Sequence, residues 1–77
     1  MKEFIEFIAK HIVDNPDNVS LKEATPDEKT NELTLKVAAE DVGKVIGKQG
    51  KTAQAMRTLL TAIAAKDGKR AILKILD

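Results

Sequence analysis

The spacing of apolar residues changes several times along this chain, and this change of period constrains the fold more than any other feature. Between residues 2 and 14, apolar side chains recur every three or four positions, which predicts an amphipathic helix. Two stretches containing Leu21 and Leu35 then alternate apolar with polar residues, which predicts half-buried strands. The polar stretch from Pro26 to Glu32 separates them, so we expect a hairpin with a long, exposed loop.

Helical spacing returns from Ala39 to Ile46, stops at a Gly-Lys-Gln-Gly segment and resumes from about residue 51 to 66. Asp67-Gly68 then gives a stop signal before an apolar final strand, Arg70 to Leu76. A right-handed crossover through the two helices would place this strand parallel to the second one. We therefore predict an α+β fold of order α-β-β-α-α-β, with a three-stranded mixed sheet, helices packed on one face and a single domain over residues 1–77.

The small size of the chain limits how it can be stabilised. With 77 residues and no cysteine, it has neither disulfides nor thiolate-bound zinc to support a core built from its 43% hydrophobic residues. Association with a partner subunit is the remaining support. No apolar run approaches the ~20 residues that cross a bilayer, so we expect a soluble, cytoplasmic protein without a membrane segment.

The net charge of +1 conceals an asymmetry between the two halves of the sequence. Residues 1–41 hold five lysines against ten acidic residues, a net charge of −5, whereas residues 42–77 hold eight basic residues against two acidic ones, a net charge of +6. A basic stretch is weak evidence when taken by itself, because an ordinary solvated surface explains it equally well. It becomes informative where it coincides with a phosphate-binding geometry.

The segment Gly47-Lys48-Gln49-Gly50 offers such a geometry. Two glycines three positions apart can adopt conformations closed to other residues, and their lack of a β-carbon lets another backbone approach closely. The segment also opens the third helix, whose free amides favour an anion, and Lys44, Lys48 and Lys51 lie around it. The alternative explanation for so short a pattern is a tight helix-helix turn that merely needs glycine.

Two other phosphate-binding motifs fail at one residue. A P-loop ending at Gly50-Lys51-Thr52 needs glycine at position 45, and so does a dinucleotide fingerprint built on Gly47 and Gly50, but the residue there is Val45. The chain also lacks the larger parallel sheet that such sites use. Hydrolysis of nucleoside triphosphates is therefore disfavoured.

Catalytic and metal-binding constellations are not found in the sequence. His11 is the only histidine and Ser20 the only serine, which excludes a Ser-His triad of usual composition and a multi-histidine metal site. His11 is interpreted as a boundary residue of the first helix. Glu40 and Asp41 point in different directions on a helix, so the positive end of its dipole explains them better than paired acid chemistry does. We predict a protein that is not an enzyme and has no cofactor or metal.

The glycine-containing turn and its surroundings resemble a known family. The segment from Val45 to Ala53, set between two helices and preceded by an α-β-β unit, resembles the signature of the KH domain in its bacterial type II arrangement. With Asp41 to Lys44 leading into the turn and a single domain of this length, the chain is similar in particular to the KhpA family of small bacterial single-KH proteins. The resemblance implies binding of single-stranded RNA, in the role of an RNA chaperone or post-transcriptional regulator.

The resemblance also implies roles for individual residues. The turn would hold the sugar-phosphate backbone of about four nucleotides, with an apolar groove floor formed in part by Val42 and Ile46. The implied RNA-contacting residues are Val42, Gly43, Lys44, Ile46, Gly47, Lys48, Gln49, Gly50, Lys51 and Arg57. The chain has no Trp or Tyr, and Phe4 and Phe7 lie at core spacing in the first helix, so charge and groove contacts would replace aromatic stacking.

The predicted third helix is apolar over an arc of about 200°, which is wider than one sheet needs. Many of its apolar residues are alanines, which are exposed at little cost, so a plain solvated surface explains the arc as well as an interface does. As an interface, the edge formed by Ala55, Leu59, Ala62 and Ile63 would contact another subunit. The resemblance supports this second hypothesis, because KhpA-like proteins are associated with homodimers and with a larger companion KH-domain protein.

Two other functions stay open at this point. Two helices around a short turn also fit a helix-turn-helix DNA-binding domain, with Gln54, Arg57, Thr58 and Thr61 facing a major groove. A recognition helix does not need two glycines in its turn, which favours the KH interpretation. The other hypothesis is a protein-interaction module without nucleic acid, which predicts a salt-insensitive complex and no affinity for RNA.

Overall fold

The computed structural model describes residues 2–76, and its elements follow the predicted order α-β-β-α-α-β. The helices are α1 (Lys2–Ile12), α2 (Val42–Ile46) and α3 (Lys51–Ala65), and the strands are β1 (Ser20–Asp27), β2 (Thr30–Lys36) and β3 (Arg70–Leu76). The ends of the predicted domain, Met1 and Asp77, lie outside the described residues. Within residues 2–76, no helix combines the length and the apolar character needed to span a membrane.

The three strands form one mixed sheet with β2 at its centre. β2 pairs antiparallel with β1 and parallel with β3, as predicted, so that Leu35 lies opposite both Leu21 and Ile75. Side chains alternate across a strand, and the regular pairing therefore places odd-numbered residues on one face of the sheet. Leu33 and Leu73 are also buried on that face. The helices cover it, and the even-numbered face is left open.

The hydrophobic core is a single cluster between the sheet and the helices. α1 contributes Ile5 and Ala9, α2 contributes Val45, and α3 contributes Met56 and Leu60, all of them buried. Truncating a fully buried Leu or Ile to Ala costs about 2–5 kcal/mol, against a total stability of about 5–15 kcal/mol for a typical domain. A core of this size therefore tolerates few losses.

The hairpin between β1 and β2 is tighter than expected, and the prediction of a long exposed loop is wrong. β1 continues to Asp27 and β2 begins at Thr30, which leaves Glu28 and Lys29 as the turn. The Asp27 carboxylate closes this turn by accepting hydrogen bonds from the Lys29 amide (2.8 Å) and the Thr30 hydroxyl (3.2 Å). Pro26 is accommodated because β1 is an edge strand with an irregular register at this point.

The aromatic residues of α1 are not core residues. The helix itself ends slightly earlier than predicted. The spacing predicts a core position for Phe4 and Phe7, but 37% and 63% of their surfaces are exposed. The reason is that Ile5 and Ala9, about 100–160° away around the helix, occupy its core side. The Phe7 ring packs against His11 instead, with 4.3 Å between ring centroids, and His11 is exposed in the last turn as expected.

The predicted second helix over Ala39 to Ile46 is divided in two. Ala39–Asp41 form one turn of 3-10 helix, and the α-helix proper begins at Val42. Asp41 lies at the start of α2, as expected, but its side chain makes no capping hydrogen bond there and is fully buried. It bonds to the turn after α1 instead.

Candidate nucleic-acid interface

The segment from Gly47 to Gly50 forms a tight turn between α2 and α3. Gly47 has φ and ψ of 78° and 173°, a region open almost only to glycine, and Gly50 is left-handed at 74° and 10°. Gln49 is also left-handed, at 58° and 27°. The Gly47 amide donates to the Gly43 carbonyl (2.9 Å), and the Gly50 amide donates to the Gly47 carbonyl (3.1 Å). The prediction that both glycines hold conformations disfavoured for other residues is confirmed.

The two glycines meet different surroundings. A β-carbon on Gly47 would lie 2.7 Å from the Thr52 β-carbon and 2.9 Å from the Thr52 amide nitrogen, with the Thr52 hydroxyl closer still. A β-carbon on Gly50 would meet no atom within 4 Å. The close approach at Gly47 is therefore made by the chain itself, whereas the space beside Gly50 is open to a ligand.

Lys48, Gln49 and Lys51 surround the turn with exposed side chains. Neither lysine forms an ion pair within residues 2–76, and the first turn of α3 contains no acidic residue. The free amides at the start of this 15-residue helix carry partial positive charge, to which the lysines add full charges. The turn is therefore suited to an anion such as a phosphate.

Lys44 differs from the other lysines of the predicted site because it is already paired. Its ammonium group donates to the Asp14 carboxylate. This hydrogen bond, together with the charges of Asp14, Asp41 and Glu40, raises the pKa of Lys44 above its ordinary value. The positive surface is therefore one-sided: it extends over Lys48 and Lys51, while the Lys44 side is compensated by carboxylates.

Asp41 fixes the start of α2 to the turn after α1. Its carboxylate accepts hydrogen bonds from the Asp14 amide (3.1 Å), the Asn15 amide (3.0 Å) and the Asn15 side-chain amide (3.0 Å). Burial acts to raise the pKa of Asp41, but these bonds and the nearby Lys44 outweigh it and hold the pKa below its ordinary value. We call these bonds the Asp41 clamp. The sequence does not predict the clamp, because Asn15 and Asp14 lie 26 and 27 residues away from Asp41 in the chain.

The apolar part of the predicted site lies on α2. Ile46, immediately before the turn, is 39% exposed, whereas its neighbour Val45 is fully buried in the core. Val42 is half-buried against the same core, and Gly43 is exposed with open space beside it. The exposed Ile46 side chain therefore offers an apolar contact next to the cationic turn.

The polar face of α3 is engaged in contacts of its own. Arg57 donates two weak hydrogen bonds of 3.4 Å to the Leu73 carbonyl of β3, an edge strand. The Thr58 and Thr61 hydroxyls donate to carbonyls one turn earlier in the same helix, at 3.0 and 2.8 Å. α2 is also only five residues long. These features disfavour a helix-turn-helix reader, which needs free side chains on this face.

All four residues of the predicted interface lie outside the core. Leu59 and Ile63 are 45% and 37% exposed, and Ala55 and Ala62 are exposed beside them. The buried side of α3 is formed by other residues, namely Ala53, Met56, Leu60 and Ala64. The wide apolar arc therefore divides into a core face and an adjoining exposed edge.

The turn and the fold around it match a known family. The family model described as KhpA/KhpB, KH domain, matches residues 2–75. The chain belongs to the KhpA/KhpB KH-domain family. Within this family match lie all three helices, β1, β2 and the turn from Gly47 to Gly50, so that the KH fold expected from the sequence is confirmed.

Similar members of the KhpA/KhpB family occur in several bacteria. The RNA-binding protein KhpA of Clostridium acetobutylicum is 51% identical over 76 residues, which cover 99% of this chain and all of that protein. A protein of the same name from Aquifex aeolicus is 49% identical over 77 residues, which cover 100% and 96% of the two chains. One from Borreliella burgdorferi is 51% identical over 75 residues, with coverage of 97% and 90%. No solved structure matches this chain.

The carboxylates near Lys44 do not form a metal site. In the part of the chain that the structure describes, residues 2–76, no group of three or more His, Asp or Glu side chains is arranged to hold a metal ion. The carboxylate oxygens of Asp41 accept hydrogen bonds from amide groups, and the Asp14 carboxylate pairs with Lys44. The cluster positions the backbone before the turn.

Proposed function

We propose that this protein binds single-stranded RNA and holds the RNA backbone at the turn from Gly47 to Gly50. The observation that carries the proposal is the geometry of this turn. Its positive-φ glycines present Lys48 and Gln49 to solvent at the start of α3, beside an open space at Gly50. A phosphodiester needs close backbone approach and positive charge, and the turn offers both.

The surroundings of the turn support this mode of binding. Lys51 extends the positive surface along α3, and Ile46 offers an apolar contact for a base or ribose. Both phenylalanines lie on α1, outside the site. Binding would therefore rest on phosphate contacts and shallow apolar contacts, with low base selectivity. Such binding suits a cytoplasmic RNA chaperone or post-transcriptional regulator.

The relatives support the same function. The proteins from Clostridium acetobutylicum and Aquifex aeolicus, which match nearly the whole chain, are both named RNA-binding protein KhpA. Their full-length match includes the turn. RNA is therefore the ligand class that we propose for it.

The test is a titration of the variant Lys48→Asp with Gln49→Asp against single-stranded RNA, followed by fluorescence anisotropy. Both side chains are exposed, and Asp tolerates the left-handed conformation of position 49, so the fold should persist. Two carboxylates at the turn would repel phosphates, and RNA binding should be abolished. Single-stranded DNA and duplex DNA, measured at two salt concentrations, test the preference for RNA and the helix-turn-helix alternative.

A matched control is Thr25→Asp with Lys29→Asp, which changes the charge by the same amount at the opposite, hairpin end of the sheet. This control should keep its RNA affinity. Undiminished affinity in a folded turn variant would remove the turn from the mechanism. Absence of RNA binding by the wild type at both salt concentrations would favour the protein-only function.

We also propose that the exposed edge of α3 contacts a second KH subunit, either another copy of the chain or a larger companion KH-domain protein. Leu59 and Ile63 expose large aliphatic side chains one turn apart, and the small Ala55 and Ala62 beside them allow close packing of another helix. The edge adjoins the core face of α3, so an interface there would extend a thin core into the partner.

A further inference from the structure

The open face of the sheet carries a cationic depression that the turn does not explain. Its lining residues are Ser20, Lys22, Thr34, Lys36 and Leu76, and its volume is about 190 Å³. All five are even-numbered, and they occupy two adjacent rows of the sheet. Ser20 pairs with Lys36, which pairs with Leu76, and Lys22 pairs with Thr34 in the next row. The depression is therefore built by the strand register and lies on the face that the helices leave open.

This face of the sheet is positively charged, although most of its residues come from the acidic half of the sequence. Lys22 and Lys36 form no ion pair within residues 2–76. Lys74, in the same row as Lys22, pairs with Glu32 at 3.0 Å. Two hydroxyl groups, those of Ser20 and Thr34, lie between the free lysines, and the exposed Leu76 forms an apolar edge. The lining combines ammonium groups, hydroxyls and one aliphatic side chain.

A second copy of the chain does not fit this face. Packing two such faces about a two-fold axis would bring the lysines of one copy against those of the other, and like charges in an interface are unfavourable. The two larger surface depressions, of about 480 and 370 Å³, have a different character. They lie at the hairpin turn, where Asp27 and Glu28 line them together with cations. Charge complementarity thus selects the sheet depression as the site for a polyanion.

The depression and the turn lie at the same end of the molecule. β2 ends at Lys36 and leads directly into the Ala39–Asp41 turn and α2. At mid-length, Arg57 of α3 contacts the carbonyl of Leu73 in β3. Lys51 lies about 9 Å before Arg57 along the helix axis, and Leu76 lies about 10 Å beyond Leu73 along the strand. Since α3 returns directly into β3, Leu76 lies at the end of the sheet near the turn.

We infer that the open sheet face is a second contact for the phosphate backbone of the same RNA strand, with Lys22 and Lys36 as its phosphate-binding residues. This inference rests on the proposed RNA binding at the turn. The smallest dimension of the molecule is 16 Å, which a strand stacked as in a duplex, at about 3.4 Å per nucleotide, crosses in roughly five nucleotides. The turn holds about four nucleotides. A strand of five nucleotides therefore reaches only the turn, whereas one of fifteen reaches both contacts.

The experiment compares oligouridylates of five and fifteen nucleotides by fluorescence anisotropy, using the full chain and its variant Lys22→Gln with Lys36→Gln. Both lysines are exposed, so the variant should keep its fold, and circular dichroism checks this. The matched control is Lys29→Gln with Lys69→Gln, which removes the same charge at the hairpin end. The fifteen-nucleotide strand also offers more registers to the turn, so dependence on Lys22 and Lys36 is the readout.

The double variant should bind five nucleotides as tightly as the wild type and fifteen nucleotides more weakly. Two lost phosphate contacts lower the log-log salt slope by about 1.4, because each contact on a single strand contributes about 0.7. Raising salt from 50 to 200 mM should then weaken the fifteen-nucleotide complex about sevenfold more in the wild type than in the variant. The control should behave as the wild type.

Other results would overturn the inference. An unchanged fifteen-nucleotide affinity, an equal loss at both lengths, or the same loss in the hairpin-end control would each remove the sheet face from RNA binding while leaving the turn in place. If the wild type binds neither strand, the proposed function itself fails. The two failures are thus distinguishable in one data set.

Discussion

Gly47 and Gly50 look equivalent in the sequence but differ in what a side chain would meet. At Gly47 an added β-carbon enters the space of Thr52 at a backbone conformation that other residues rarely adopt. At Gly50 the added carbon projects into open space, so the only loss of folding stability comes from holding a non-glycine residue in the left-handed conformation. The first glycine is required by the fold, and the second leaves room for a ligand.

We expect Gly47→Ala to lower the free energy of unfolding by about 2 kcal/mol or more, because backbone strain and a steric clash combine. Gly50→Ala should cost only about 1–2 kcal/mol, yet it should weaken RNA binding, since its methyl group stands where the phosphate would approach. Urea unfolding measures the first effect and anisotropy of the folded variants measures the second. Equal unfolding free energies for both variants would contradict this assignment.

The cationic residues around the turn should also differ in their contributions. Lys51 has no acidic partner within residues 2–76, whereas Lys44 is neutralised by Asp14 with Glu40 and Asp41 nearby. Lys51→Ala should therefore flatten the log-log salt dependence of RNA binding by about 0.7, the value for one phosphate contact. Lys44→Ala should flatten it less. A series of anisotropy titrations at increasing salt measures both slopes, and a larger effect at Lys44 would show that RNA displaces Asp14.

At the scale of elements, the sequence predicts whatever depends on local period and turn residues. The bounds of β3 and the start of α3 follow from the run Arg70 to Leu76 and from the glycine-containing turn. The prediction of a long hairpin loop is wrong for two reasons. The Asp27 carboxylate closes a two-residue turn, and the edge position of β1 allows the strand to continue through a proline. The hydrogen bond between Asp41 and the turn after α1 joins segments that are distant in the chain, so no local sequence pattern predicts it.

The clamp by Asp41 makes the stability of the fold dependent on pH. The folded pKa of Asp41 is depressed below its unfolded value of about 3.9, since amide donors stabilise the carboxylate. A depressed pKa means that the stabilisation is fully present above the unfolded pKa and is lost as pH falls through the folded pKa. Stability should therefore fall between about pH 5 and the acid limit. Asp27, bonded to the Lys29 amide and the Thr30 hydroxyl, also has a lowered pKa and acts in the same direction.

The variant Asp41→Asn isolates the contribution of the clamp. It should be less stable than the wild type at pH 7 and should lose less of its urea midpoint between pH 7 and pH 3, because the titrating carboxylate is gone. Asp17→Asn, an exposed position in the turn after α1, is the matched control and should keep the wild-type pH dependence. The clamp would be refuted as a source of pH dependence if the Asp41 variant and the wild type changed in parallel.

At the scale of the whole molecule, the exposed edge of α3 is apolar, whereas the two cationic surfaces also carry exposed aliphatic side chains: Ile46 beside the turn, and Ile72 and Leu76 on the open sheet face. Free lysines lie at the turn and on the open sheet face, while the exposed aliphatic residues of α3 form a distinct edge. The wide arc of α3 is visible in the sequence, but its division into a core face and an exposed edge is not, because both consist of Ala, Leu and Ile. Only the packing of α3 on the sheet shows that Leu60 is buried and Leu59 is not.

This division allows a sharp test of subunit association. Leu59→Lys and Ile63→Lys should keep the circular dichroism of the wild type, because both positions are exposed, but should convert the oligomer to a monomer in light scattering. An unpaired charge buried in an interface costs about 3–5 kcal/mol, which weakens association more than about a hundredfold. Leu60→Lys places the same charge in the core, where Leu60 is 1% exposed, and should unfold the chain instead. A wild type that is monomeric throughout the micromolar range would refute self-association, and the α3 edge would then have to pair with a companion subunit.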